Sequence, residues 1–209
     1  MTSYSWIVLL VGFILGYELK RRNIHRFQNR GEILVRKVIM DNFSSDSWYL
    51  FNNVTLKTEN STTQIDHILI SKLGVFVIET KHYKGWIFGD NNSKKWTQVI
   101  YGYKYKFQNP LHQNYKHIKV VQSTLDFLPS EQITGMVVFT GRGVFKTTQP
   151  SNVYSLDSLI SHLKSLDVEV LSENRVQFCV GRIECNRLEL TKETDIEHRE
   201  NIELRNLYK

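Results

Sequence analysis

Residues Gln64–Lys81, QIDHILISKLGVFVIETK, decide the fold. They read as two apolar strands around a tight turn, with Asp66 early in the first strand and Glu79 and Lys81 late in the second. Side chains alternate along a strand, so Glu79 and Lys81 share a face and Thr80 points the other way. With Ser71 and Gly74 flanking a two-residue loop, Asp66 falls opposite Glu79, at a Cβ separation of about 5 Å. A bulge at Gly74 would shift the pairing by one, and Lys72-Leu73 is not a favoured hairpin dipeptide. Two carboxylates that close repel each other unless a proton or a cation lies between them. A hard divalent ion with oxygen ligands is the natural occupant. Ile68, Ile70, Val75 and Val77 are expected on one face and Ile65, Leu69, Phe76 and Ile78 on the other, which describes a sheet covered on both sides.

Upstream, Gly31–Phe43 carries Val35, Val38 and Ile39 at helical spacing. Glu32 lies on the inward edge of that stripe; it is either partnered inside or a first-turn glutamate favoured by the helix dipole. Trp48–Lys57 reads as a strand and Thr58–Thr63 as a polar turn. Downstream, Trp86–Phe88 reads as a short strand. Tyr101–Phe107, YGYKYKF, either stacks bases and neutralises phosphates or forms a strand with one aromatic and one charged face. Asn109-Pro110 starts a helix, with Asn as cap and Pro in the first turn. Its buried side is Leu111, Ile118, Val121 and Leu125, and Gln113 sits in the first turn. Ile133–Thr140 reads as a buried strand, Ser155–Leu166 as an amphipathic helix, Val176–Val180 as an edge strand and Lys192–Tyr208 as a surface helix. The expected fold is α/β, a three-layer sandwich around a mixed sheet.

The 209 residues, 41% of them hydrophobic, suffice for one domain with extensions. A net charge of +6 suits an anionic partner, nucleic acid or lipid, as well as simple solubility. Cys179 and Cys185 lack zinc-finger spacing, and neither His67 nor His82 belongs to a metal-binding pair. Tyr4–Tyr17 is a run without charge that is short for a bilayer span; Thr2–Leu19, which takes in Glu18, reaches the lower limit, and Lys20, Arg21 and Arg22 follow. That charge asymmetry predicts a retained single-pass anchor with its N-terminus outside and the remainder in the cytoplasm. The division expected is an anchor over 1–20, entering the membrane through residues 4–19, a basic linker over 21–29, a core over 30–145 and a helical extension over 146–209.

Gly31-Glu32, then Gln64-Ile65-Asp66-His67-Ile68-Leu69, then Gly74–Lys81 with Gly85 beyond, then Asn109-Pro110-Leu111 with Gln113-Asn114, follow one another in an order that resembles the PD-(D/E)xK nuclease core. Within that group the chain is most similar to the nuclease-related domain family, over roughly residues 30–140. The resemblance implies a restriction-endonuclease-like core and metal-dependent, endonucleolytic hydrolysis of phosphodiester bonds, in DNA. It implies that Asp66, Glu79 and the Thr80 carbonyl hold Mg²⁺ or Mn²⁺. Glu32 would assist, Lys81 would orient or deprotonate the attacking water, and Gln64 and Gln113 would steady the site. Lys84, Tyr103, Lys104 and Lys106 are candidate nucleic-acid contacts. The alternative is a non-catalytic nucleic-acid- or partner-binding module in which Asp66, Glu79 and Lys81 form a structural ion-pair network.

Overall fold

The structure, a computed structural model, describes residues 30–59 and 61–188. The chain opens with helix α1 (30–42), followed by strands β1 (Tyr49–Thr58), β2 (Ser61–Ser71) and β3 (Gly74–Lys81). Three short strands come next, β4 (Gly85–Phe88), β5 (Lys95–Ile100) and β6 (Tyr103–Gln108). Then come α2 (Pro110–Thr124), β7 (Ile133–Phe139), β8 (Gly143–Phe145), β9 (Val153–Ser155), α3 (Leu156–Ser165) and α4 (Glu173–Asn186).

The central hairpin takes the tight register, with Ser71 paired to Gly74 and His67 to Ile78. Its Lys72-Leu73 turn works because Gly74 carries a φ of 132° and because the Ser71 hydroxyl accepts the Leu73 N–H at 3.1 Å. β3 is buried at every position and pairs in parallel with β7 on its other side. The main sheet runs β1-β2-β3-β7-β9. One face packs Ile68, Val75 and Val77 against Val121 of α2, Leu125 at its C-terminal end, and Val176 and Ile183 of α4. The other packs Leu69, Phe76 and Ile78 against Val35 and Ile39 of α1 and Leu159 and Leu163 of α3. The layering is therefore helix, mixed sheet, helix.

Three readings change. Ile65, expected on the Leu69 face, packs instead in the cluster that holds Ile68 and Ile70. The alternation breaks at Asp66, where the facing residue Asn53 takes a left-handed φ of 52°. Val176–Val180 lies within α4 rather than in an edge strand. Ser172 caps that helix by accepting the Arg175 N–H, and Val176, Cys179 and Ile183 form its buried stripe. The segment after 145, expected as a helical extension, supplies β9 to the main sheet and α3 and α4 to its two faces. The expected anchor over 1–20, the linker over 21–29 and the Lys192–Tyr208 helix lie outside the described residues. Among the described residues, no helix is long and apolar enough to cross a membrane.

The short strands build a second sheet, ordered β6-β5-β4-β8, that the sequence reading did not assemble. Ile87 and Trp96 pack one of its faces onto Val137 and Phe139 of β7. Asn109 joins this sheet to α2. Its side-chain oxygen accepts the Leu111 N–H at 2.9 Å, and its Nδ2 donates to the carbonyls of Asp90 (3.1 Å) and Ser93 (2.8 Å). The residue is fully buried, so truncation removes a helix cap and strands a carbonyl at once. Asn109→Ala is expected to cost about 2–3 kcal/mol. Exposed Asn92→Ala should change stability by less than about 0.5 kcal/mol. Urea denaturation of both variants measures the difference, and equal midpoints would contradict the joint described here.

Candidate active site

The ladder between β2 and β3 ends at His67–Ile78, so the next N–H of β3 on that side, at Thr80, has no strand partner. Asp66 supplies one: its Oδ2 accepts the Thr80 N–H at 2.7 Å. The carboxylate thus sits where the two strands part, held by the backbone of the Glu-Thr-Lys triplet. Glu79 and Lys81 face α2 on adjacent same-side positions of β3. Lys81 Nζ donates to Glu79 Oε1 at 2.5 Å and to Gln113 Oε1 at 3.1 Å.

One turn beyond Gln113 on α2, His117 places its Nε2 3.2 Å from Glu79 Oε2. Its Nδ1 is 3.1 Å from the Thr63 hydroxyl. With that hydroxyl donating to Nδ1, Nε2 carries the proton that faces Glu79. The contact is at ion-pair distance without the alignment of a good hydrogen bond, so Glu79 Oε2 is a buried oxygen that is not fully satisfied. Asn114 fastens α2 to the sheet by donating to the carbonyls of Val77 and Met136, both at 3.0 Å. Gly135 permits the close approach, since a Cβ there would lie 2.4 Å from Ile118 and 2.9 Å from Asn114.

The electrostatics follow from burial and crowding. Glu79 is 2% exposed and Lys81 5%. Burial alone would push the Glu79 carboxyl up, but the Lys81 ammonium and the His117 ring outweigh it and hold Glu79 below the usual carboxylate range. Lys81 is held above the usual range: burial opposes its charge, and Glu79, then Asp66, more than compensate. Asp66 is raised well above its ordinary value by burial, then by the charges of Glu79 and Glu32, against the Thr80 N–H and Lys81. Glu32, on α1, is raised by burial and by Glu79. Asp66 and Glu32 are only partly buried, so the cluster meets solvent on their side.

Of the residues expected at the site, Asp66, Glu79, Lys81 and Gln113 stand in one bonded group with the Thr80 backbone, and Glu32 is near enough to feel its charge. Gln64 is not drawn in. It pairs with Thr55 in β1 and makes no hydrogen bond to the group among the described residues; its neighbour Thr63 does so instead. The break in alternation at Asp66 is the cause. His117 and Thr63 escaped the sequence reading, although the Gln113–His117 spacing of one helical turn was a signal for His117. Lys84, Lys104 and Lys106 are exposed on the second sheet or at its margin. Tyr103 lies on the opposite face of β6 from the two lysines.

Among the described residues no three Asp, Glu, His or Cys side chains converge as a ready cation site. The donors available are two carboxylates and a carbonyl, all hard oxygens, with an incompletely satisfied Glu79 oxygen and an Asp66 whose charge is opposed by its neighbours. That chemistry fits Mg²⁺ or Mn²⁺ better than it fits a soft metal.

Comparison with known proteins accords with this geometry. The chain is 42% identical over 118 residues to an uncharacterized protein of Bacillus anthracis, which covers 56% of this chain and 55% of the relative. The chain therefore spans about half the length of that relative. The nuclease-related domain matches residues 28–140, just over half of the chain and the stretch that carries Glu32, Asp66, Glu79, Lys81, Gln113 and His117. The chain belongs to the nuclease-related domain family.

Proposed function

We propose that the protein is a metal-dependent nuclease that hydrolyses phosphodiester bonds, in DNA, on the cytoplasmic side of a membrane to which residues 4–19 tether it. The observation that carries this reading is a buried Glu79–Lys81 pair set beside Asp66 at the point where two strands part. Asp66, Glu79 and the Thr80 carbonyl would hold Mg²⁺ or Mn²⁺. A cation so held supplies Lewis-acid stabilisation of phosphate charge and lowers the pKa of bound water.

The chain's own residues do the positioning. Gln113 and Glu79 fix the Lys81 ammonium at two points, so its charge is aimed before substrate arrives and can offset negative charge growing on the phosphate. His117, anchored by Thr63, holds the far oxygen of Glu79 and keeps the carboxylate from rotating. Asp66 loses nothing by staying put, because the Thr80 N–H would otherwise be unpaired.

A second reading has its own support. Glu79 is contacted on both oxygens by groups of the chain itself, and Lys81 is nearly inaccessible, as expected of a structural ion-pair network in a non-catalytic binding module.

The full-length chain in detergent, incubated with plasmid and with labelled single strands, is expected to cleave in Mn²⁺ or Mg²⁺ and not in EDTA. Lys81→Ala should lower the rate by about 100-fold or more. No cleavage of any DNA or RNA form in either metal would leave the binding-module reading. Metal binding has a separate readout. Mn²⁺ should raise the melting temperature of the wild type and leave that of Asp66→Ala unmoved. His117→Ala, which leaves a buried carboxylate oxygen poorly satisfied, is expected to cost about 1–3 kcal/mol in EDTA and less in saturating Mn²⁺. A deficit unaffected by Mn²⁺ would place Glu79 outside the metal site.

A further inference from the structure

The second sheet buries Ile87 and Trp96 on its inner face, and strand alternation turns the neighbouring positions outward. Two cross-strand rows result: Trp86–Val99–Lys104 and Phe88–Thr97–Lys106, with Val144 beside Trp86. Trp86 and Val144 are each 52% exposed, a large apolar surface to leave facing water. Lys146 holds its Nζ 5.0 Å above the Trp86 ring, and its backbone N–H is bonded to the Ile87 carbonyl. The strands of this sheet and the residues that immediately border them contribute Lys84, Lys94, Lys95, Lys104, Lys106, Arg142 and Lys146, and not one carboxylate. No ion pair on this face offsets those charges among the described residues.

A second observation singles out the β5–β6 turn. Ile100 pairs with Tyr103 across a two-residue loop in which both Tyr101 and Gly102 have positive φ, 51° and 81°. Such primed turns favour Asn-Gly or Gly-Gly; a tyrosine in the left-handed region is strained. The Tyr101 ring gains no packing in return, being 93% exposed. Strain kept without a structural return marks functional positions. Tyr101 and Trp86 line the same open cleft of ≈ 380 Å³, with Lys84 at its edge.

We infer that the outward face of the second sheet and the Trp86–Tyr101 cleft grip a single-stranded nucleic acid, taking a base between the two aromatic rings and backbone phosphates on Lys104, Lys106 and Lys146. A projecting aromatic ring stacks on any unpaired base, and ammonium groups around it neutralise the adjoining phosphates. A paired duplex offers no free base face to such a clamp, so the preference is for single strands. The grip is linked to the hydrolytic site directly: Trp86 lies five positions after Lys81, at most about 18 Å of extended chain. This inference deepens the nuclease reading and rests on it for the nature of the polymer.

Binding is measured by fluorescence anisotropy of a labelled oligothymidine and of a matched duplex on the full-length chain in detergent with EDTA, so that failure to cleave cannot be mistaken for failure to bind. Trp86→Ala is expected to weaken single-strand binding by about 5- to 100-fold and Trp86→Phe by far less, as stacking requires. Lys104→Ala/Lys106→Ala should reduce the slope of log affinity against log salt by about 1.4, the loss of two phosphate contacts. Tyr101→Asn separates function from folding: it should weaken single-strand binding while melting no lower than wild type, because Asn tolerates the left-handed turn. Lys72→Ala, on a remote edge beside Glu169, should change nothing. Unchanged single-strand affinity in Trp86→Ala and Tyr101→Asn would overturn the inference. So would equal losses on duplex, or variants that lose binding to phosphatidylserine vesicles but not to the oligonucleotide.

Discussion

A lysine ammonium taken almost wholly out of water must have a carboxylate within reach, and most of this structure is arranged around that requirement. Lys81 finds Glu79 two residues back on the same strand face. The pair would be costly if either partner could swing away, because a lone buried charge is worse than none. Three features prevent it. β3 is fully buried and, at the pair, laddered to β7, α2 presents Gln113 and His117, and Asn114 fastens α2 to the carbonyls of two strands. The second sheet enters this scheme through Asn109, which fixes where α2 begins and therefore which of its side chains face the pair.

The same elements separate two kinds of negative charge. Glu79 is stabilised as a carboxylate by Lys81 and His117, whereas Asp66 and Glu32 are opposed by burial and by their acidic neighbour. Unequal environments for neighbouring acids are frequent where catalysis or cation binding occurs, although buried ion-pair networks produce them too. The position of the cluster is what supports the metal site proposed above over a purely structural network. The acids gather at the open end of a strand pair that parts, rather than in the middle of a ladder where a structural pair would be safest.

Much of this could be read from the chain before any coordinates. The hairpin register followed from two apolar runs separated by a loop too short to allow many pairings, and it placed Asp66 beside the Glu-Thr-Lys triplet. The Asn109-Pro110 start fixed the frame of α2 and thus Gln113. What escaped was whatever depends on a departure from regular geometry. The resemblance placed Gln64 at the site and alternation placed Ile65 on the Leu69 face; the left-handed Asn53 opposite Asp66 breaks the regular pattern there. The second sheet escaped because its strands are three to six residues long, too short for a period to declare itself. Val176–Val180, expected as an edge strand, is helical, as the Ser172 cap and the spacing of Val176, Cys179 and Ile183 require.

Gly31 carries a consequence of its own. A Cβ there would sit 2.9 Å from the Thr140 hydroxyl and 3.0 Å from both His82 and Thr80, so the first turn of α1 is wedged against the chain immediately around Lys81. No hinge intervenes between Gly31 and the acidic cluster. The acidic cluster is therefore held at a fixed attitude to the start of α1, and a pull applied at residue 30 would be felt as torque at the end of β3.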